Sequence, residues 1–314
     1  RADFKRRNGR TRSAAAAILL LALVGVSAAA AQSPPQRLPS AVLVYPLIEV
    51  EGGGSTVDTR VEVVNLTSRP TQLHCIYVHG PSCFGTDFQV LLTPNQPISW
   101  LASQGVFNGQ TAVPPTDGDA ELKCIVIPPD GEESIDAQNT IQGRSVVFGA
   151  DGQTIGYGAI GFRRLTDGPF ENIIELDGAT YTKCPDEQHF VVLASVPGDP
   201  LQESELVLTT CSEDLENLES TTTTVQFLIV NEFEQQLSAS TSVTCTLRRT
   251  LRQISQVFTR ATLGTDTGHL IVRGVQSPVL ALVVDRFLAA PGIAGTAGNE
   301  PSLRGGRAAE IRFP

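Results

Sequence analysis

Period-two alternation is the feature that most constrains this chain. Thr59–Asn65 (TRVEVVN) and Thr71–Val78 (TQLHCIYV) put apolar side chains at alternate positions and stop at polar turn residues. In a strand successive side chains point to opposite faces, so such a run buries one face and wets the other. Similar short runs follow: FQVLLT, PISWLA, RSVVFGA, TIGYGAIGF, NIIEL, FVVLASV, SELVLTTC, TTTVQFLIVNEF, LSASTSVTCTL, QVFTRATL, GHLIVRGV and PVLALVVDRF. They are rich in Val, Ile and Thr, which suit a pleated surface. AVLVYPLIEV (41–50) is a continuous, mainly apolar run and ends at the turn EGGGS. Asp151-Gly152 sits between two runs, a type I′ hairpin signal. No 3.6-residue apolar period is sustained. Only 211–220 (CSEDLENLES) and 247–258 (LRRTLRQISQVF) read as a helical turn or two. Strands of this length and spacing predict an all-β chain, a sandwich more than a barrel.

The 314 residues suggest two domains or one large one. Residues 1–31 stand apart. A basic stretch to Ser13 precedes an apolar run, and small residues Ala29-Ala30-Ala31 precede Gln32. This reads as a secretion signal peptide rather than a membrane anchor. Without it the chain keeps 17 Lys and Arg against 32 Asp and Glu, because residues 1–31 hold six of the 23 bases and one of the 33 acids. Such a surface repels phosphate backbones, so nucleic acid is not expected as a partner. No later run is long and apolar enough to span a bilayer as a helix. Residues 32–40 (QSPPQRLPS) read as a Pro-rich linker.

Six cysteines behind an export signal read as three disulfides in an oxidising compartment: periplasm, cell surface or extracellular space. Spacing suggests Cys75–Cys83 across a local turn, Cys211–Cys245 within the C-terminal half, and Cys124–Cys184 as the remaining pair, among 15 pairings that six cysteines allow. There is also a short internal match. Val61–Asn65 aligns with Phe227–Asn231, and Cys75 and Cys245 follow those asparagines. Either one hairpin is used twice, in two sandwiches meeting near 197–204, or two hairpins are alike by chance. The first reading gives domains at 41–198 and 199–314, the second carrying a Gly/Ala/Pro-rich loop at 288–307.

In order along the chain, LVYPLIEV, VVNLTSRPTQLHC, ELKC, LVLTTCSEDLEN and VQFLIVNEFEQQLSASTSVTC resemble an uncharacterised group of secreted bacterial β-sandwich proteins. The likeness spans most of residues 41–275. It implies an extracellular location, immunoglobulin-like sandwiches and structural cysteines, and it carries no activity and no catalytic residue.

Chemistry-bearing motifs are sparse. There is no G-x-S-x-G elbow, no H-E-x-x-H and no C-x-x-C, so nucleophilic, zinc-hydrolase and redox readings lack their residues. The histidines are His74, His79, His189 and His269. Asp186, Glu187 and His189 cluster in sequence, as do Asp266 and His269, and both groups read first as polar loops. Hard cations need clustered oxygens. The candidates for calcium are Asp117, Asp119 and Glu121; Asp130, Glu132, Glu133 and Asp136; and Glu213, Asp214 and Glu216. Each group reads equally as solvated loop. One Trp and four Tyr give little aromatic platform for sugars. The expected role is structural or adhesive, in contact with an envelope or extracellular protein or glycan. A carbohydrate- or calcium-dependent binding module comes second, and a secreted hydrolase third.

Overall fold

The computed structural model describes residues 38–314 apart from 55, 81, 108, 110, 129–133, 136–138, 150–153, 197–201, 220, 291–292 and 300–301. The expected leader, most of the linker, the Asp151-Gly152 turn, and Asp130, Glu132, Glu133 and Asp136 lie outside these residues.

Residues 42–162 build two antiparallel sheets. Sheet 1 runs Ile160–Phe162, Val42–Val50, Gly118–Ile127, Thr71–His79, Gly85–Leu92. Sheet 2 runs Thr154–Gly158, Ile141–Phe148, Asp58–Asn65, Pro97–Leu101. Residues 187–304 build two more. Sheet 3 runs Ser302–Arg304, Glu187–Leu193, Thr267–Gly274, Thr222–Asn231, Gln236–Thr244. Sheet 4 runs Ile293–Asn299, Val279–Ala290, Gln202–Thr210, Thr246–Thr250. Taken in chain order, the strands of sheets 3 and 4 repeat those of sheets 1 and 2 one for one, with the same neighbours. The chain is all-β and carries this strand order twice.

The repeat is not the one the short match suggests. Asp58–Asn65 corresponds in position to Gln202–Thr210, and Thr222–Asn231 corresponds to Thr71–His79. After Asn65 the chain crosses to sheet 1; after Asn231 it turns back as a hairpin, Val230 opposite Gln236. What the two asparagines share is local chemistry. Asn65 Nδ2 donates to the carbonyls of Arg69 and Thr93, and its Oδ1 accepts from the Thr67 N–H. Asn231 Nδ2 donates to the Leu263 carbonyl, and its Oδ1 accepts from the N–H groups of Phe233 and Gln235. A short amide that satisfies a turn is reused wherever a buried strand must stop.

The disulfides also pair differently from the spacing argument: Cys75–Cys124, Cys83–Cys245 and Cys184–Cys211. The pairs 75–83, 124–184 and 211–245 are therefore corrected. Cys75 lies inside a strand that runs to His79, and Cys83 follows the turn beyond it. Four extended residues span about 13 Å, whereas a bridge needs α-carbons within ~7 Å. Strand stiffness thus defeats the easy closure of a short loop. Cys124 is directly opposite Cys75 on the neighbouring strand, with α-carbons 4.0 Å apart.

Three further expectations change. QVFTRATL is not a strand: Leu251–Ile254 and Arg260–Leu263 are single helical turns flanking a 3-10 turn at Gln256–Phe258. Thr250 and Gln253 form a reciprocal cap, Ser255 caps the next turn, and Gly264 ends the last at φ 77°. The caps at Thr250, Ser255 and Gly264 outweigh the β preference of the residues between. The 211–220 stretch is no helix either: Glu213–Asp214 pairs in parallel with Glu310–Arg312. The tail at 288–307 is no single irregular loop, because Ile293–Asn299 pairs back on Val279–Ala290.

Sheets 1 and 2 enclose a core of Leu43, Tyr45, Cys75, Tyr77, Leu122 and Cys124 against Val61, Val63 and Trp100. Sheets 3 and 4 enclose Phe190, Val192, Leu206, Leu208, Phe227 and Leu270. The other face of sheet 1 is buried too: Val42, Val44, Ile76, Val78 and Ile125 meet Tyr181, Leu215, Leu280, Ile311 and Phe313. Burial on both faces explains why 41–50 is apolar apart from Glu49 instead of alternating. The outer side of sheet 4 joins the first core through Val207, Leu282 and Val284.

Buried tyrosines tie sheets 1 and 2 together through their hydroxyls. Tyr157 Oη bonds both the N–H and the carbonyl of Leu47. Trp100 Nε1 donates to Tyr77 Oη at 2.7 Å, and Tyr45 Oη donates to the Glu62 carbonyl at 3.0 Å. Tyr45 reaches that carbonyl only because position 143 has no side chain: a Cβ there would lie 1.9 Å from Tyr45 Oη. Gly143→Ala is expected to cost about 2–3 kcal/mol in urea unfolding, from overpacking plus a lost buried hydrogen bond. Gly156→Ala in the adjacent sheet-2 edge strand, where a Cβ meets nothing within 4 Å, is the control and should be close to neutral.

Candidate functional site: a buried charge seam and an open histidine face

Three of the acidic residues picked out by sequence, Asp119, Glu121 and Glu213, meet cations, and those cations are side chains. On strand Gly118–Ile127, Leu122, Cys124 and Val126 face the first core, so Glu121, Lys123 and Ile125 face the second half. Glu213 arrives from the other side. Lys123 Nζ lies 2.8 Å from Glu121 Oε1 and is hydrogen-bonded to Glu213 Oε2. Thr210 Oγ1 donates to Glu213 Oε1 at 2.6 Å. Glu121 and Lys123 have no solvent exposure and Glu213 almost none. The Glu121 oxygens find charge at that distance without a well-aligned hydrogen bond.

Burial and the neighbouring Glu213 push the Glu121 carboxyl up to about 8, and Lys123 offsets only part of this. Burial pulls the Lys123 ammonium down, but the two carboxylates outweigh it and hold it above its ordinary value. A carboxyl raised in the fold binds more protons there than in the unfolded chain, so its stabilising contribution is full below about 4.5 and lost as pH rises through about 8. Glu121→Gln should remove a decline in stability on the order of a few kcal/mol between those limits. Urea titrations across that range read it out; an unchanged pH slope in the variant would contradict the assignment.

A second cluster lies along the same junction. Arg248 Nη1 is 2.7 Å from Glu49 Oε1 and 3.0 Å from Asp119 Oδ1, and its Nε is 2.8 Å from Glu205 Oε1. Burial alone would lower the Arg248 guanidinium; Glu205 and Glu49 hold it above its ordinary value. Glu49 is pushed up by burial, with Arg248 opposing. Glu49 and Asp119 belong to sheet 1, Glu205 and Arg248 to sheet 4. Cys245, bridged to Cys83, is three residues from Arg248. One disulfide and two cations therefore cross-link the halves along one seam.

Of the calcium candidates, then, Glu121 and Glu213 converge on Lys123, and Asp119 binds Arg248. Asp214 accepts from the side chain and N–H of Asn217, which lower its pKa. Asp117 and Glu216 are exposed and are not part of this convergence. Among the described residues no group of three or more His, Cys, Asp or Glu is placed to hold a metal. Sequence reasoning missed the seam because Lys123, Arg248 and Glu49 lie inside apolar or mixed strands. The one legible signal was a Lys between Glu121 and Cys124 in an otherwise buried run.

The face of sheet 3 that corresponds to the buried face of sheet 1 is partly open: Val191, His269 and Arg273 are exposed, while His189 is buried. It carries His189, Val191, Leu228, His269, Ile271 and Arg273. His189 Nδ1 lies 3.0 Å from His269 Nε2, and Glu187 Oε2 is 3.7 Å from His189 Nε2. The rings are inclined by 23° with centroids 5.2 Å apart, which leaves these two nitrogens within hydrogen-bond distance. His189 is lowered by burial, then by Arg304 and His269, against Glu187. Asp186 is instead paired with Arg273 and Arg307, and Asp266 with Arg260. His74 faces Asp87, and His79 lies near Thr116. A cleft of about 560 Å³ beside this face includes Glu187, Leu228, Ser240 and Arg273. Another of about 510 Å³ lies on the outside of sheet 2, at Glu62, Val64, Ser99 and Arg144. Among the described residues no helix is long and apolar enough to cross a membrane.

No protein-family model matches the chain, and no curated protein matches it. Among solved structures, the crystal structure of the PBSX exported protein XepA is similar at 9% identity and a TM-score of 0.15, covering 78% of this chain and 82% of that one.

Proposed function

We propose that this chain is a secreted, non-catalytic structural or adhesive protein of the cell envelope, built from two immunoglobulin-like sandwich domains. The observation that carries the reading is the seam. Two sheet pairs of the same strand order are joined by the Cys83–Cys245 bridge, the Lys123 cluster and the Arg248 cluster, a junction made to hold two bodies in fixed orientation. The leader-like residues 1–31 and the oxidised cysteines support export. The binding surface would be the loops at a sandwich end or the edge of sheet 3. The calcium-dependent alternative has less support, because the best-placed carboxylates are neutralised internally.

The test is co-sedimentation of the oxidised, purified chain with isolated bacterial cell envelopes. Saturable binding that survives a calcium chelator is expected. Binding no greater than that of a control protein of similar acidity would overturn the adhesive reading, and binding abolished by the chelator would replace it with the calcium-dependent one.

A further inference from the structure

Between the two sheet pairs the chain runs through residues 163–186, and this connection contains a buried cation that forms no salt bridge among the described residues. Arg164 is 5% exposed. Its Nε donates to the Thr166 carbonyl at 2.9 Å, and its Nη2 donates to the carbonyls of Gly168 and Pro169 at 3.1 and 3.0 Å. Its guanidinium carbon lies 5.7 Å from the centre of the Tyr181 ring. Asn139 holds the main chain of Arg164 from both sides, accepting from its N–H and donating to its carbonyl. The residue is thus fixed in place by groups that carry no net charge. Among the described residues no carboxylate comes within ion-pair distance of it.

Arg164 lines a cavity of about 220 Å³. Tyr181 and Thr180 line it too, and so do Asp167, Glu171 and Glu175. The three acids are exposed, so the cavity has a cationic floor and an anionic rim. Burial raises the Tyr181 phenol, against the neighbouring guanidinium, so its hydroxyl keeps its proton beside Arg164. A buried guanidinium without a counter-ion is costly, and planar guanidinium is the group best matched to a carboxylate.

We propose that this cavity binds a small zwitterion of the free α-amino-acid class. The ligand carboxylate accepts hydrogen bonds from Arg164 Nη1 and the Tyr181 hydroxyl at the floor, and its ammonium lies among the rim carboxylates. A simple anion would satisfy the floor but be repelled by the rim. A simple cation would satisfy the rim but meet the guanidinium. The chemistry selects a ligand bearing both charges at short separation.

Calorimetry and ligand-observed NMR on the full oxidised chain, with glycine, acetate and methylammonium as probes, test this. Saturable glycine binding at millimolar concentration is expected, with acetate and methylammonium each weaker by about tenfold or more. Glu171→Gln with Glu175→Gln lies on the exposed rim and should keep the fold. It should weaken glycine by about tenfold while leaving acetate unchanged or tighter. Arg164→Lys keeps the charge but loses the planar fork, and should weaken glycine and acetate together. No saturable glycine binding, acetate binding as tight as glycine, or a rim variant with unaltered glycine affinity would each overturn the proposal. The rim variant keeps the test intact if Arg164→Lys fails to fold.

Discussion

A Cys83→Ser, Cys245→Ser chain, still oxidised at its other four cysteines, should be less stable than its parent by about 4 kcal/mol. The bridge joins residues 162 apart, whereas the other two span 49 and 27. Cross-links of long loops restrict the unfolded chain most; the chain-entropy relation gives about 4.7 kcal/mol for a 100-residue loop. The two remaining bridges shorten the effective loop, which sets the expectation slightly below that. The urea dependence should also steepen, because the unfolded chain expands when the long link is gone. Urea unfolding of both proteins, with peptide mapping under non-reducing conditions, measures it. A difference below about 1 kcal/mol would mean that the link does not constrain the unfolded ensemble as a long loop must.

Lys123→Ala should cost about 3–5 kcal/mol, the range found when one partner of a buried ion pair is removed. It leaves Glu121 and Glu213 facing each other in a site sealed from water, and the proton that Glu121 carries below about 8 can then no longer be given up while the fold persists. Loss of stability should therefore be greatest at alkaline pH and partly relieved in acid. Combining Lys123→Met with Glu121→Gln and Glu213→Gln replaces the cluster by neutral groups and should recover most of the loss. If Lys123→Ala unfolds at the parental urea concentration, the triad does not hold the junction.

Much of the architecture is legible in the amino-acid order, and the reasons for the rest are physical. Alternation located the strands around Thr59–Asn65, Thr71–His79 and Thr222–Asn231, because side-chain direction is a local property of the backbone. The number of bridges followed from the cysteine count. Their pairing did not, since Cys75 meets Cys124 only once sheet 1 has its strand order, and Cys83 meets Cys245 only once the halves dock. The same limit hid the ion clusters: Glu121 and Glu213 looked like two separate acidic loops, and nothing local to either shows that Lys123 stands between them. The repeat was sensed through the wrong residues. Equivalent strands such as Asp58–Asn65 and Gln202–Thr210 share position but no obvious sequence, whereas the visible match at Asn65 and Asn231 reflects a common way to end a strand.

The repeated strand order has a consequence for self-stacking. Two like bodies packed by unlike faces would, if every body kept the same surfaces, add copies indefinitely and form a fibre. Here the two corresponding surfaces differ in composition. The five-stranded sheet of the first half offers Val42, Val44, Ile76 and Val78, while the corresponding surface of the second offers Gln226, His269 and Arg273, which water can solvate. Period-two polarity is kept on one copy and abandoned on the other, so the second does not repeat the apolar face by which the first is covered.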